Sequence, residues 1–345
     1  MVSIYDYSLK DLEQYFIQKG LKPYKAKQLF KWLYEKRVHD FDLMSDISKK
    51  LIVDLKNDFS CDLLKIKTSQ RSKDGTIKFL FELSDGAYIE SVLMKFDYGY
   101  SACISSQVGC NMGCRFCESG RLKKVRNLEA YEIVQQILLI EEDIKKRITH
   151  VVVMGIGEPM DNYDNVMRFV KIINCGKGIG IGSRHITIST CGVVPGIEKF
   201  MEEDGQVNLA ISLHAPNDMI RRKIMPISSA YDMDSLFQVI RKYIQKTNRR
   251  VTMEYIMLDG INDMDSCAKE LAKRLKNMMC YVNLIPYNET ENIGYKRSKK
   301  TQILRFYDIL KKENINVTIR KEFGGKVDAA CGQLRANNAF LKGEF

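Results

Sequence analysis

No run of about eighteen or more apolar residues occurs in the 345-residue sequence, so nothing in it reads as a membrane-spanning helix. The opening stretch MVSIYDYSLKDLEQ also lacks the basic-then-apolar layout of a secretory signal. These two absences give the expectation of a cytoplasmic protein with no membrane partner. In that compartment closely spaced cysteines are ligands or redox groups more often than structural disulfides. Histidine is scarce: the four, His39, His150, His185 and His214, are scattered along the chain. Among the ten cysteines there is one C-x2-C pair and no second. A structural zinc site made of two paired knuckles therefore lacks half its ligands.

What is present describes a globular chain. Apolar residues make up 45% and charged residues 28%, enough for an ample core. The length fits one large α/β barrel-type domain or two domains of ordinary size. Lys and Arg outnumber Asp and Glu by 54 to 43, giving a net charge of +11. The excess is clumped at Arg121, Lys123, Lys124 and Arg126, at Lys145–Arg147, at Arg221–Lys223, and at Lys296–Lys300. A polyanionic partner such as RNA produces this pattern, and so does an ordinary solvated basic surface.

Periodicity divides the chain. Residues 1–60 read as a basic helical module: SLKDLEQYFIQKG ends on Gly20, KPYKAKQLFKWLYEKR spaces Ala26, Leu29, Phe30 and Leu33 along one face, and DISKKLIVDLKNDF follows a cap at Asp46 or Ser48. Residues 61–98 read as a β extension with a Ser-Asp-Gly turn. Residues 99–335 form the core and 336–345 a tail. Past the cysteines, apolar strands (HVVVMGIG, HITIST, VNLAISLHA, RVTMEYIML, CYVNLIPYN, NVTIRKEF) alternate with amphipathic helices. Such βα repeats give an α/β fold with a parallel sheet, curled into a full or partial barrel. The strand ends, where barrel chemistry gathers, carry Gly157, Glu158 and Pro159, then Ser189 and Thr190, then Ser212, Leu213 and His214, then Pro286, Tyr287 and Asn288.

The stretch SACISSQVGCNMGCRFCESG, residues 101–120, holds Cys103, Cys110, Cys114 and Cys117. The last three form a C-x3-C-x2-C run, a metal site one ligand short. Zinc wants four ligands, whereas an iron–sulfur cluster can sit on three cysteines with one iron open. The run, followed by a βα barrel, resembles the radical S-adenosylmethionine (SAM) superfamily. The resemblance implies a partial (β/α)6 barrel and one 4Fe–4S cluster on Cys110, Cys114 and Cys117, its open iron bound by SAM. It also implies that Gly157, Glu158, Ser189, Ser212, Leu213, His214 and Asn288 hold the cofactor. The Gly157 position would let the backbone approach the methionine moiety, and Glu158 would pair with its ammonium. GKGIGIG, residues 176–182, imitates a dinucleotide-binding loop but leads into a strand rather than a helix, and reads as a flexible connection.

Cys61, Cys175, Cys191, Cys267 and Cys280 read as buried thiols without chemistry. Cys103 and Cys331 lie among small residues that leave room for a bulky reactant. With CISSQVGCNMGCRFC, GIGEP, ISLHAPND, NLIPYN and DAACGQLR in order, the chain resembles the RlmN/Cfr family of radical SAM RNA adenine methyltransferases from the helical module to residue 335. The resemblance implies that Cys331 accepts a methyl group from one SAM and that a second SAM is cleaved to a radical that activates it. The carbon then adds to adenine, and Cys103 releases the covalent protein–RNA adduct through a transient disulfide. Glu90 would take the proton from the ring carbon; a strand-edge charge is the plainer reading of that residue. The implied substrates are an adenine of 23S rRNA in the peptidyl-transferase region and an adenine of certain tRNAs, with an electron donor such as flavodoxin or ferredoxin; no oligomer is implied. Pro159 and the Ala215-Pro216 pair point to the carbon-2 branch. The basic stretch ESGRLKKVRNL after Cys117 departs from the expected one and keeps carbon 8, the antibiotic-resistance chemistry, as the alternative. A non-methylating RNA chaperone and a peptide maturase are the readings from other classes.

Overall fold

The structure, a computed structural model, describes residues 1–290 and 292–321. Cys331 lies outside the described residues.

The N-terminal helices form where local chemistry dictates. Helix α1 (Leu9–Gln18) starts on a capping box, Ser8 Oγ accepting from the Asp11 amide and the Asp11 carboxylate accepting from the Ser8 amide. Helix α2 (Tyr24–Tyr34) buries Ala26, Leu29, Phe30 and Leu33 on the face their spacing predicts. Helix α3 (Lys49–Asp58) is capped by Ser48, whose hydroxyl accepts from the Leu51 amide. Asp46, the other capping candidate, instead accepts from the Trp32 indole N–H. All three helices share one apolar core with the barrel. The GKGIGIG segment is part of that joint: a Cβ on Gly178 would lie 2.4 Å from Phe30 Cε1 and 3.0 Å from Tyr34 Cβ. Far from being a free connection, it is seated against α2.

A single ten-stranded sheet carries the described remainder. Its strands are β1 (Lys65–Arg71), β2 (Ile77–Glu82), β3 (Tyr88–Phe96), β4 (Gly99–Ile104), β5 (Ile148–Val153), β6 (Ile186–Thr190), β7 (Asn208–Ser212), β8 (Val251–Met257), β9 (Cys280–Pro286) and β10 (Val317–Ile319), in spatial order 10-9-8-7-6-5-4-3-2-1. From β4 to β10 neighbours are parallel; from β4 back to β1 they are antiparallel. The β extension is therefore continuous with the barrel sheet rather than a separate layer. The continuity has a cause in β2, where IKFLFE is buried on both faces along most of its length and needs cover on each side.

Helices α4 (Ala130–Ile144), α5 (Tyr163–Asn174), α6 (Val194–Phe200), α7 (Asp218–Ile224), α8 (Met233–Thr247), α9 (Asp265–Leu275) and α10 (Lys300–Lys312) connect the parallel strands. The open, strand-by-strand parallel arrangement is the partial barrel expected from the βα alternation. Two of these helices were not legible in the pattern. Helix α4 buries Glu132, Gln135, Gln136 and Glu141 along with its apolar residues, which hides its amphipathicity. Helix α7 is only seven residues long and contains the Arg221–Lys223 clump.

Candidate active site

The cysteine loop follows β4 and is tied down at its base. Gln107 and Val108 pair antiparallel with Asn127 and Arg126. The Cys110 amide donates to the Leu122 carbonyl at 2.9 Å, and the Cys117 amide to the Cys114 carbonyl at 3.1 Å. Arg126, read from the sequence as part of a basic clump, is a clamp. Its guanidinium forks onto Glu132 at 2.7 and 2.8 Å and reaches Asp85 of the β2–β3 turn at 2.7 Å.

The three thiols of the loop face a cavity of about 320 Å³ at the C-terminal ends of the parallel strands. Cys103 lies on the same wall, as do Gly157, Glu158, Ser189, Ser212, His214 and Asn288. Glu90 and Leu213 are not among the lining residues. Among the described residues no three His, Cys, Asp or Glu side chains converge on a point that could hold one metal ion. A single zinc needs that convergence, whereas a cluster binds each thiolate through a different iron. Two buried hydroxyls on the wall, Ser189 Oγ and Tyr287 OH, have no hydrogen-bond partner, as expected of groups that await a polar ligand. The thiols, the orphaned hydroxyls and the volume fit a cluster with SAM beside it. Burial pushes the Cys110 thiol up to about 12 and raises Cys114 and Cys117 too, so binding iron here must displace protons.

Several wall residues are held in ways the sequence did not indicate. Gly157 has φ +106°, and a Cβ there would meet Gln107 at 2.5–2.8 Å, so the glycine makes room for Gln107 at the cavity wall. Gln107 in turn accepts from the Glu158 amide at 2.9 Å. The Glu158 carboxylate, expected to face an ammonium, accepts from the backbone amides of Met160 at 3.0 Å and Cys191 at 2.8 Å. Cys191, set aside as a chemically idle thiol, thus lies on the cavity wall. His214 adopts a left-handed φ of 57°, and its Nδ1 accepts from the Ile256 amide at 3.0 Å. Burial and then the Arg221 charge press His214 down to about 3, so the ring is neutral. Leu213 has both backbone groups engaged inside the protein, its amide donating to the Glu254 carbonyl at 3.0 Å and its carbonyl accepting from Arg221 Nε at 3.2 Å.

The β extension supplies the opposite wall. Lys78, Val92 and Cys103 are register partners across β2, β3 and β4 and share one face of the sheet. Glu90, two residues from Val92, is on the same face and is salt-bridged to Lys78 at 3.1 Å. It is a buried, paired carboxylate, not a strand-edge charge. Burial pushes the Cys103 thiol up to about 11, against the lowering influence of Arg320 and Lys78. Lys78, Met94, Glu254 and Arg320 all line the cavity and had no motif to mark them.

The comparisons with known proteins agree with this geometry. Residues 104–275 match the radical SAM superfamily, and residues 2–60 match the ribosomal RNA large subunit methyltransferase N-terminal domain. A Spiroplasma citri protein named "Probable dual-specificity RNA methyltransferase RlmN" is 51% identical over 341 residues, covering 98% of both chains. An Enterococcus faecalis protein of the same name is 52% identical, covering 97% of this chain and 96% of its own. The crystal structure of a radical SAM methyltransferase from Sphaerobacter thermophilus superposes with a TM-score of 0.91 at 40% identity, over 96% of this chain and 99% of the other.

Proposed function

The chain belongs to the RlmN family of radical SAM RNA methyltransferases, and from that membership we propose that it methylates carbon 2 of an adenine in 23S rRNA and of an adenine in certain tRNAs. The family's cofactors are one 4Fe–4S cluster and SAM. No helix among the described residues is long and apolar enough to cross a membrane. The work is assigned to the cytoplasm, with a flavodoxin or ferredoxin as electron source.

The observation that carries the reading is the position of Cys103. Like Cys191 it is a thiol outside the C-x3-C-x2-C spacing on the wall of the cavity that the three loop thiols face, and it alone of the two shares a sheet face with Lys78 and Glu90. Cys110, Cys114 and Cys117 would hold the cluster, while Ser189, Ser212, His214 and Asn288 line the space for SAM. When bound, cluster and cofactor supply a carbon-centred radical and the transferable methyl group. The chain's own residues do the rest. Cys331 carries the methyl group, Glu90 accepts the ring proton with Lys78 fixing its carboxylate, and Cys103 attacks the Cys331 sulfur to free the product. The exchange forms the Cys103–Cys331 S–S bond and breaks the S–C bond, whose electron pair stays on the departing carbon; that carbon takes up a proton to become the methyl group, and an external dithiol reduces the disulfide before the next turnover. The basic surface and helical module bind RNA backbone, and the target base leaves its stack to enter, at a cost of roughly a few kcal/mol.

Anaerobic reconstitution with SAM, a reductant and either a 23S rRNA fragment or tRNA, followed by mass spectrometry of nucleosides, tests the proposal. 2-Methyladenosine is the expected product. 8-Methyladenosine would place the chain in the resistance chemistry, and unmodified adenosine from an enzyme that still cleaves SAM would overturn the assignment of RNA as substrate.

A further inference from the structure

Arg221 heads the fully buried side chains by volume, at 0% exposure, although it stands in a sequence clump that reads as a solvated surface. Its Nε donates to the Leu213 carbonyl at 3.2 Å, and its Nη2 donates to the carbonyls of Cys191 at 2.6 Å and Ser212 at 3.3 Å. Nη1 is buried with no partner. Asp218, the acid on the same short helix, is turned to Arg222, Ser228 and the Met233 amide. Among the described residues no carboxylate hydrogen-bonds to Arg221, and Asp218 acts on it only through space. A buried cation held only by neutral carbonyls is costly unless an anion occupies the space beside it.

The neighbourhood identifies that anion. The Ile224 carbonyl at the end of α7 accepts from the Arg115 amide at 2.9 Å, so the helix carrying Arg221 is bonded to the residue after Cys114. Ile224 and Met225 pack with Met112, Cys114 and Phe116 of the cysteine loop. Gly192, with φ +99°, leaves room for the guanidinium: a Cβ there would stand 3.2 Å from Nη2. Nη2 also reaches the carbonyl of Cys191, which stands on the same cavity wall as the three loop thiols.

We propose that Arg221 is the built-in counter-cation of the cluster and raises its reduction potential. The inference rests on the reading that Cys110, Cys114 and Cys117 hold a 4Fe–4S cluster. Three thiolates outweigh the positive charge of the oxidised core, so the site is anionic. The one electron it accepts from the external reductant adds a further negative charge, with no bond to Arg221 made or broken. A fixed cation on the helix that packs against the Cys114 loop favours the reduced form, and net charge is one of the determinants of cluster potential. Arg221 is thus a positioning charge, acting through the cluster rather than on substrate.

The test is an EPR-monitored redox titration of reconstituted protein, with iron and sulfide content measured in parallel. Arg221→Gln, loaded with cluster, is expected to lose at least tenfold in the reduced-to-oxidised ratio at fixed poise, ~59 mV for a one-electron couple. Arg221→Lys, which keeps the charge and loses the fork, is expected to titrate with the native protein. An unchanged midpoint in loaded Arg221→Gln overturns the proposal, even where SAM binding weakens, because the cation then serves the cofactor's carboxylate. If Arg221→Gln does not fold, a lowered midpoint in loaded Arg221→Lys overturns it. Native protein that takes up iron only as single ions defeats the cluster reading instead, and is distinguished by its lack of a cluster EPR signal.

Discussion

Lys78 and Glu90 form an ion pair inside the sheet, Nζ to Oε2 3.1 Å, with side chains 1% and 3% exposed. Taking two charges out of water costs several kcal/mol per ion, and only their mutual attraction and further hydrogen bonds offset it. Removing one partner takes this ion pair away from the other while it stays buried. Lys78→Met is expected to destabilise the fold by about 3–5 kcal/mol in urea unfolding. Lys78→Met with Glu90→Leu should be more stable than either single variant, because both charges of the buried pair are removed together. That double variant should also fold, load a cluster and make no methylated adenosine, which separates the pair's structural part from the role of Glu90. A double variant no more stable than the singles would mean the pair is not the coupled unit its geometry describes.

Release of the RNA adduct should depend on pH. Burial raises the Cys103 thiol to about 11, and the attacking species in disulfide exchange is the thiolate. Below that value the thiolate fraction rises roughly tenfold per pH unit, so the release rate should climb with slope near one between about pH 7 and 9. Cys103→Ala should trap RNA on the protein at every pH, visible as a covalent band on a denaturing gel. A flat profile would place the rate-determining step elsewhere, and free RNA with normal turnover in Cys103→Ala would remove Cys103 from the mechanism.

The barrel was legible because its strands are apolar runs of the right length separated by periodic helices, and the cluster residues because their spacing is short and local. The wall facing them was not. Lys78 and Glu254 lie in β2 and β8 and Arg320 just follows β10, and only the register of the sheet brings them to one cavity. Charge clumps misled for a related reason: in Arg221–Lys223 the first residue points inward while its neighbours are exposed, and sequence cannot show which way a helix of seven residues turns. The close approach of Gln107 to Gly157 was not legible, since the two are fifty residues apart and only the fold brings them together.

The seat of the helical module on the barrel depends on Gly178. A methyl group there would press on Phe30 at 2.4 Å and on Tyr34 at 3.0 Å, both in α2. Gly178→Ala is expected to cost about 1–3 kcal/mol through overpacking. It should also speed proteolysis between the module and the sheet. Gly176→Ala is the control, because nothing lies within 4 Å of a Cβ at that position, and its effect should stay within about 0.5 kcal/mol. Equal stability of the two variants would mean that α2 does not bear on this segment.

Cluster loading should be more sensitive to Gly120 than to Gly113, although both lie in the cysteine loop. A Cβ on Gly120 would stand 2.7 Å from the Cys114 carbonyl oxygen and 3.0 Å from its amide nitrogen. Backbone atoms cannot swing aside as a side-chain end can, so Cys114 itself must move. At Gly113 a Cβ meets only Pro226 Cγ at 3.5 Å, and the constraint is the left-handed φ of +65°. Asn tolerates that region, leaving a strain of no more than about 1–2 kcal/mol. Gly120→Ala should therefore lose on the order of half or more of its iron and sulfide while keeping its far-UV circular dichroism, since thiolate placement governs cluster binding. Gly113→Asn should retain both. Full loading of Gly120→Ala would show that Cys114 can be displaced without leaving its iron, and that the loop is looser than its contacts imply.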